Sequence, residues 1–288
     1  MVATIEFIES VIATYGEATR ANLETPGREG NVVVLTRDLG HDVLVTADLH
    51  GNRANFNAIR RLADLEQNPG RHLILQEVCH GGPTYAANGG CMSHALLEDV
   101  AKLKARYRER VHFLLSNHEL AELTDYPILK SKKMLNLLFR LGLQAMYGAA
   151  VEKVRAAINS FLRSCPLAVR LPGDILVCHS LPEQVDTRGF DTEVLREPLE
   201  GVTLMEHGSV FRMLWGRDYR AENATAFANL VGAKVLIHGH EPCEQGFAIP
   251  NNRQVILDCC GSKACYVMLP LDAELTHADV VRRIRPLT

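Results

Sequence analysis

Five short apolar runs in this chain each stop at a residue of a type that binds metal. VLVTAD runs into Asp48-Leu49-His50-Gly51-Asn52, LILQE ends in Glu77, and VHFLLS leads to Asn117-His118-Glu119. ILVCH ends in His179, and VLIHGH ends in His238-Gly239-His240. Short apolar runs rich in β-branched residues and bounded by turn residues are strands. In an open α/β sheet the carboxyl ends of the strands face one crevice, so five such ends can converge on one place. Packing alone requires no Asp, Glu, Asn or His there.

Strand and helix patterns alternate around these runs. Residues 1–20 read as an amphipathic helix, followed by a Pro26-Gly27 turn. NVVVLT and HDVLVTAD, separated by a Gly-containing turn, read as a hairpin. A helix is expected at 54–67, with apolar positions at 56, 59, 62 and 65, ending at Asn68-Pro69-Gly70. Strand 72–76, a glycine-rich loop at 81–90, a helix at 92–108 and strand 111–115 follow. Residues 119–164 read as mainly helical. After Pro166 come the strands LAVRL and ILVCH, a helical and looped region at 190–231, and the strands VLIH, QVILD and YVML. No repeat or linker marks a boundary, so residues 1–288 are expected to form a single domain.

An apolar fraction of 47% and a charged fraction of 23% over 288 residues are those of a globular protein. A formal charge of −3 gives no basic field for nucleic acid. No apolar run reaches the roughly 18 residues of a membrane span, and the N-terminus has no basic leader. The eight cysteines form no CxxC pair and are expected to be reduced thiols in a cytoplasmic protein. Vicinal Cys259-Cys260 can bind a soft metal or oxidise, although adjacent cysteines bridge only with unusual geometry.

Carboxylate oxygen, amide oxygen and imidazole suit Mn, Fe or Zn, and thiolates are absent from the strand ends. Asp48 and His50, two apart on an extended segment, point the same way and can chelate one ion. Glu77 at the next strand end can bridge to a second ion, with Asn117, His179 and His240 completing its shell. A thiol chemistry at Cys178-His179-Ser180 is disfavoured, because neighbours along a strand face opposite ways.

The ordered set DxHGN, strand-end carboxylate, NHE, single His and GH resembles the calcineurin-like metallophosphoesterases. It is most similar to the phosphoprotein-phosphatase branch and its bacterial relatives. LVTADLHGN, FLLSNHEL, ILVCHSLP, LWGRD and VLIHGHEP carry the resemblance across residues 43–242. It implies a four-layer αββα sandwich, two mixed β-sheets flanked by helices, with a dinuclear site at the strand ends. The implied activity is hydrolysis of a phosphomonoester or phosphoprotein. By the same resemblance Asp48 and His50 bind the first metal, and Asn117, His179 and His240 the second, with manganese foremost and iron or zinc as alternatives. His118 is the implied general acid. Arg217, in Trp215-Gly216-Arg217-Asp218, is the implied phosphate clamp, with Asn117 also at the substrate. In such sites two ions about 3.5–4 Å apart hold a bridging water for in-line attack.

The second motif departs from the family's Gly-Asp-x-x-Asp-Arg-Gly, reading Gln76-Glu77-Val78-Cys79-His80-Gly81-Gly82. Glu77 stands where an aspartate bridges the metals, and His80 where an aspartate orients the general acid. His80 is then either a catalytic residue that touches substrate or metal, or a loop histidine with no role, and the orienting falls to Glu119 or another group. Gly81 replaces a phosphate-binding arginine, so loop N–H groups or Arg53 are candidate substitutes. With these losses, a weakened metal- or phosphate-binding protein and a dinucleoside polyphosphate hydrolase stand as alternatives.

Overall fold

The apolar runs pair into two mixed sheets in this computed structural model, which describes residues 3–287. Met1 and Val2, the start of the expected first helix, lie outside the described residues. The first strands are β1 (Arg28–Glu29), β2 (Val32–Val34), β3 (Asp42–Asp48), β4 (Arg71–Gln76) and β5 (Val111–Leu114). A small hairpin, β6 (Leu129–Lys130) and β7 (Lys133–Met134), comes next. The chain then forms β8 (Ala168–Leu171), β9 (Ile175–Cys178), β10 (Val235–His238), β11 (Phe247–Ala248) and β12 (Gln254–Leu257). It ends with β13 (Cys265–Pro270) and β14 (Ile284–Pro286).

The helices of the first half are α1 (Ile5–Leu23), α2 (Arg53–Ala63), α3 (Ser93–Arg106), α4 (Asn117–Thr124), α5 (Leu135–Tyr147) and α6 (Val151–Ser164). Those of the second half are α7 (Val185–Arg188), α8 (Ser209–Trp215), α9 (Ala221–Leu230) and α10 (His277–Arg282). One sheet has the order β1-β2-β8-β9-β10-β12-β11 and the other β14-β13-β3-β4-β5. Helices flank the paired sheets, giving the αββα sandwich that the motifs imply. On one side α1 packs against α3 and α6, with the Tyr15 ring 5.8 Å from Phe161.

β3, β4 and β5 run parallel in the smaller sheet, and β9 runs parallel to β10 in the larger. This shared direction gathers the five polar strand ends. The strands are almost wholly buried, which is why they read as continuous apolar runs rather than alternating ones.

The expected hairpin of NVVVLT with HDVLVTAD does not form. β2 pairs with β1 and β8 in the larger sheet, whereas β3 lies between β13 and β4 in the smaller. Both runs are buried in sheet interiors, and the turn between them carries the chain from one sheet to the other. The helix expected at 54–67 stops at Ala63, where Asp64 turns left-handed with φ 38°. The mainly helical stretch 119–164 is interrupted by the β6–β7 hairpin, whose turn residues Ser131 and Lys132 have positive φ.

Candidate active site

β3 stops at Asp48 and β4 at Gln76, and the two following loops join through backbone hydrogen bonds. Leu49 and His50 donate to the Glu77 carbonyl at 2.8 and 2.9 Å, and Gly51 donates to Val78 at 3.0 Å. His50, Glu77, His80 and His240 have φ of 42°, 45°, 61° and 69°. A left-handed L-residue costs about 1–2 kcal/mol, and such strain gathers at functional sites. Contrary to the expectation that Asp48 and His50 share an extended segment, His50 is left-handed. A left-handed turn, not strand alternation, aims its ring.

The loops bring together the candidate donors from both sheets. Donor atoms of His50, Glu77 and His118 lie within 4.8 Å of one another, as do those of Glu77, His179 and His240. Glu77 belongs to both sets, and its Oε2 is 3.6 Å from His50 Nε2 and 3.8 Å from His179 Nε2. Asn117 Oδ1 lies 2.8 Å from His179 Nε2 and 3.2 Å from His240 Nδ1. Asp48 belongs to neither triplet. Its Oδ2 accepts from the His240 N–H at 2.8 Å, and its Oδ1 is 3.8 Å from His179 Nδ1.

Asp48 Oδ1, Glu77 Oε1 and His240 Nε2 are buried without a hydrogen-bond partner. Each such atom costs about 1–3 kcal/mol, and more when charged. Three on one cluster, with oxygen and imidazole donors around them, fit divalent cations.

Electrostatics agree with that fit. Burial pushes Asp48 up to about 7. Burial and the adjacent Asp48 charge push Glu77 well above the usual carboxylate range. Burial pulls His50 down to about 4 and His240 to about 3. His179 and His118 fall well below their ordinary value through burial, with the surrounding histidines adding to it. The imidazoles thus stand neutral, the form that ligates, and a cation would restore the carboxylates' preference for charge.

Gln76 holds His179 in place. Its Oε1 accepts from His179 Nδ1–H at 2.9 Å, while its Nε2 donates to Thr46 O at 3.0 Å. That leaves the His179 Nε2 lone pair facing the cluster, the usual arrangement around a metal-binding histidine.

His80 is buried behind the cluster. Its Nδ1 is 3.0 Å from His118 Nδ1, and its Nε2 is 2.7 Å from Glu122 Oε1. Glu119 does not orient His118. Its Oε1 accepts from the N–H groups of Val78 and Cys79 at 3.0 and 2.8 Å, and its Oε2 accepts from the Ser116 hydroxyl. It clamps the loop after β4 to the start of α4.

The cations lie at the rim. Arg217 is half-exposed, pairs with Glu241, and bears electrostatically on Glu77 and His240. Arg53 is bound to Asp99 at 2.5 Å. Lys130, on the β6–β7 hairpin, is close enough for its charge to lower His50. The loop at 81–90 spends N–H groups on itself. Gly81 donates to Cys91 Sγ, Tyr85 to Gly90 O, Gly89 to Tyr85 O and Gly90 to Asn88 Oδ1.

Sequence reasoning missed Gln76 and Glu122. Glu122 is four residues after His118 on α4, a spacing that puts both on one helix face. For Gln76, a polar amide closing an apolar run beside Glu77 was the available signal. His238, grouped with the polar strand ends, is structural, with Nε2 3.1 Å from Gln254 Oε1.

The fold is similar to that of a protein serine/threonine phosphatase from Saccharomyces cerevisiae. The two share 14% identity with a TM-score of 0.63 over 91% of this chain and 82% of that one. It is also similar to a cold-active protein-tyrosine phosphatase of a psychrophile, Shewanella sp. There the identity is 13% and the TM-score 0.56 over 90% and 82% of the two chains. No curated protein matches the chain in sequence. A family model described as calcineurin-like phosphoesterase matches residues 41–244, a span that holds all five polar strand ends. The chain belongs to the calcineurin-like phosphoesterase family and is a phosphoester hydrolase.

Proposed function

We propose that the protein is a dinuclear metal-dependent phosphatase acting on a phosphomonoester or phosphoprotein, as a single domain in the cytoplasm. Asp48, His50 and Glu77 would hold one divalent cation, and Glu77, Asn117, His179 and His240 the other, with manganese the first candidate. The observation that carries this reading is the trio of orphaned buried atoms on Asp48, Glu77 and His240. When bound, the cations supply positive charge for the phosphoryl oxygens and an activated water.

The chain's own groups do the rest. His118 Nε2 faces the cluster, 3.8 Å from Glu77 Oε1. From there Nε2 takes a proton from the attacking water and gives it to the alkoxide oxygen as the P–O bond breaks, so that water and ester become phosphate and alcohol. Arg217, once released from Glu241, offers a planar fork that suits two phosphoryl oxygens. The eight free thiols suit a reducing compartment.

The test is manganese-dependent hydrolysis of p-nitrophenyl phosphate and of glycerol phosphate. Asp48→Asn is expected to abolish both. His118→Asn is expected to cost about 10²–10⁴-fold on glycerol phosphate, the range of general acid catalysis. Absent wild-type activity, or activity unchanged by both substitutions, overturns the proposal.

A further inference from the structure

His80 occupies the position where the related motif has an aspartate against the general acid, and an imidazole cannot serve as that carboxylate. The structure supplies the carboxylate one step further away. Glu122 lies four residues after His118 on α4, and both it and His80 are buried. Its Oε1 is 2.7 Å from His80 Nε2, and His80 Nδ1 is 3.0 Å from His118 Nδ1. Glu122 is itself held by Asn136 on α5. Asn136 Nδ2 donates to Glu122 Oε1 at 3.0 Å, and Asn136 Oδ1 accepts from the Ile128 N–H at 2.9 Å.

The direction of these hydrogen bonds follows from what each group can do. A carboxylate only accepts, so His80 Nε2 carries the proton toward Glu122. Nδ1 of His80 then presents a lone pair, and His118 Nδ1 must be the donor across the 3.0 Å contact. This fixes the His118 ring with Nε2 toward Glu77, 3.8 Å from its Oε1, and so toward the candidate metal cluster. The His80 ring is packed edge-on to Phe139, at 5.7 Å and 85°, which limits its rotation. Glu119, another nearby carboxylate, is occupied by the backbone of Val78 and Cys79.

We propose that Glu122 is a positioning residue that acts through His80 to set the tautomer and the aim of His118, replacing the direct carboxylate–histidine pair. The inference rests on the phosphatase reading, because it assigns His118 the leaving-group proton. The His118 Nε2 lone pair takes a proton from the attacking water and delivers it to the alkoxide oxygen, while its Nδ1–H stays on the ring, held by His80. The chain Glu122–His80–His118 transfers no proton of its own and only holds the ring. A misaimed acid costs on the order of 10²-fold for about 1 Å of displacement.

The experiment compares a phosphate ester whose leaving group needs the proton with one whose leaving group does not. In manganese-loaded protein, Glu122→Leu is expected to lower kcat for glycerol phosphate by about 10²-fold, with KM unchanged. p-Nitrophenyl phosphate, whose phenolate departs without a proton, should be nearly unaffected. Glu122→Gln retains an oxygen that can accept from His80 and Asn136, and is expected to recover most of the loss. Nitrogen-15 NMR of the metal-free wild type supplies a readout independent of turnover, with His118 expected as the Nδ1–H tautomer. Equal loss on both esters, no recovery with Gln, or an Nε2–H tautomer of His118 overturns the relay. A wild type that hydrolyses neither ester overturns the phosphatase reading instead.

Discussion

The arginine missing from the second motif has a steric explanation, and Gly81→Ala tests it. Gly81 has φ +153°, and a Cβ built there would lie 2.1 Å from the His50 carbonyl oxygen. An ordinary carbon–oxygen approach is about 3.3 Å, so the two loops would have to separate by roughly 1 Å. The positive φ costs about 1–3 kcal/mol, and forced repacking a further 1–3 kcal/mol or so. The total, about 2–6 kcal/mol, is a large part of the roughly 5–15 kcal/mol that holds a domain folded. Gly89 is the control. It also has positive φ, +69°, but nothing lies within 4 Å of its Cβ position, so Gly89→Ala carries only the backbone cost of about 1–2 kcal/mol. At about 2–4 °C per kcal/mol for a chain of this size, Gly81→Ala should lose roughly 5–20 °C in thermal melting. The control should lose a few degrees. Because the displaced carbonyl belongs to His50, manganese content after dialysis should also fall in Gly81→Ala alone. Equal melting temperatures and equal metal content for the two variants would refute the steric account.

Two further predictions address charge and ligand orientation. Lys104 is buried, donating to Thr25 Oγ1 at 2.8 Å and Arg108 O at 2.5 Å, and burial pulls it from 10.5 down to about 7. Its folded value is depressed, so the unfolded chain binds more protons between those two values and stability rises with pH across that window. Lys104→Met should therefore be more stable than wild type below pH 7, with the advantage shrinking toward pH 10.5; a pH-independent difference in urea melts excludes this. Gln76→Leu removes the acceptor that fixes His179, and metal affinity measured against a competing chelator should drop about 10–100-fold; an unchanged affinity would assign the Gln76 amide to β-sheet packing alone.

The candidate site was legible where its signal was local. Asp48, Glu77, Asn117, His179 and His240 each close an apolar run, and the register of parallel strands gathers such ends without further information. The path of the chain between sheets was not legible. β2 and β3 have the same apolar character and a turn between them, and only their distant partners β8 and β13 assign them to different sheets. The role of Glu122 was hidden for a related reason. Its spacing from His118 was visible, but its meaning depends on His80 arriving from the loop after β4. The left-handed backbone of His50 likewise depends on hydrogen bonds to Glu77, which lies in another loop.

Helix α4 spans only Asn117–Thr124, yet it carries a candidate metal donor at Asn117, the proposed acid at His118 and the carboxylate at Glu122. On the proposed reading, loading of the cluster and alignment of the acid are therefore linked through one helix. Whatever factor cation binding contributes to ordering the Glu122–His80–His118 chain, that ordered chain returns the same factor in cation affinity. A substitution at Glu122 should thus lower metal retention as well as turnover, although its side chain touches no candidate ligand.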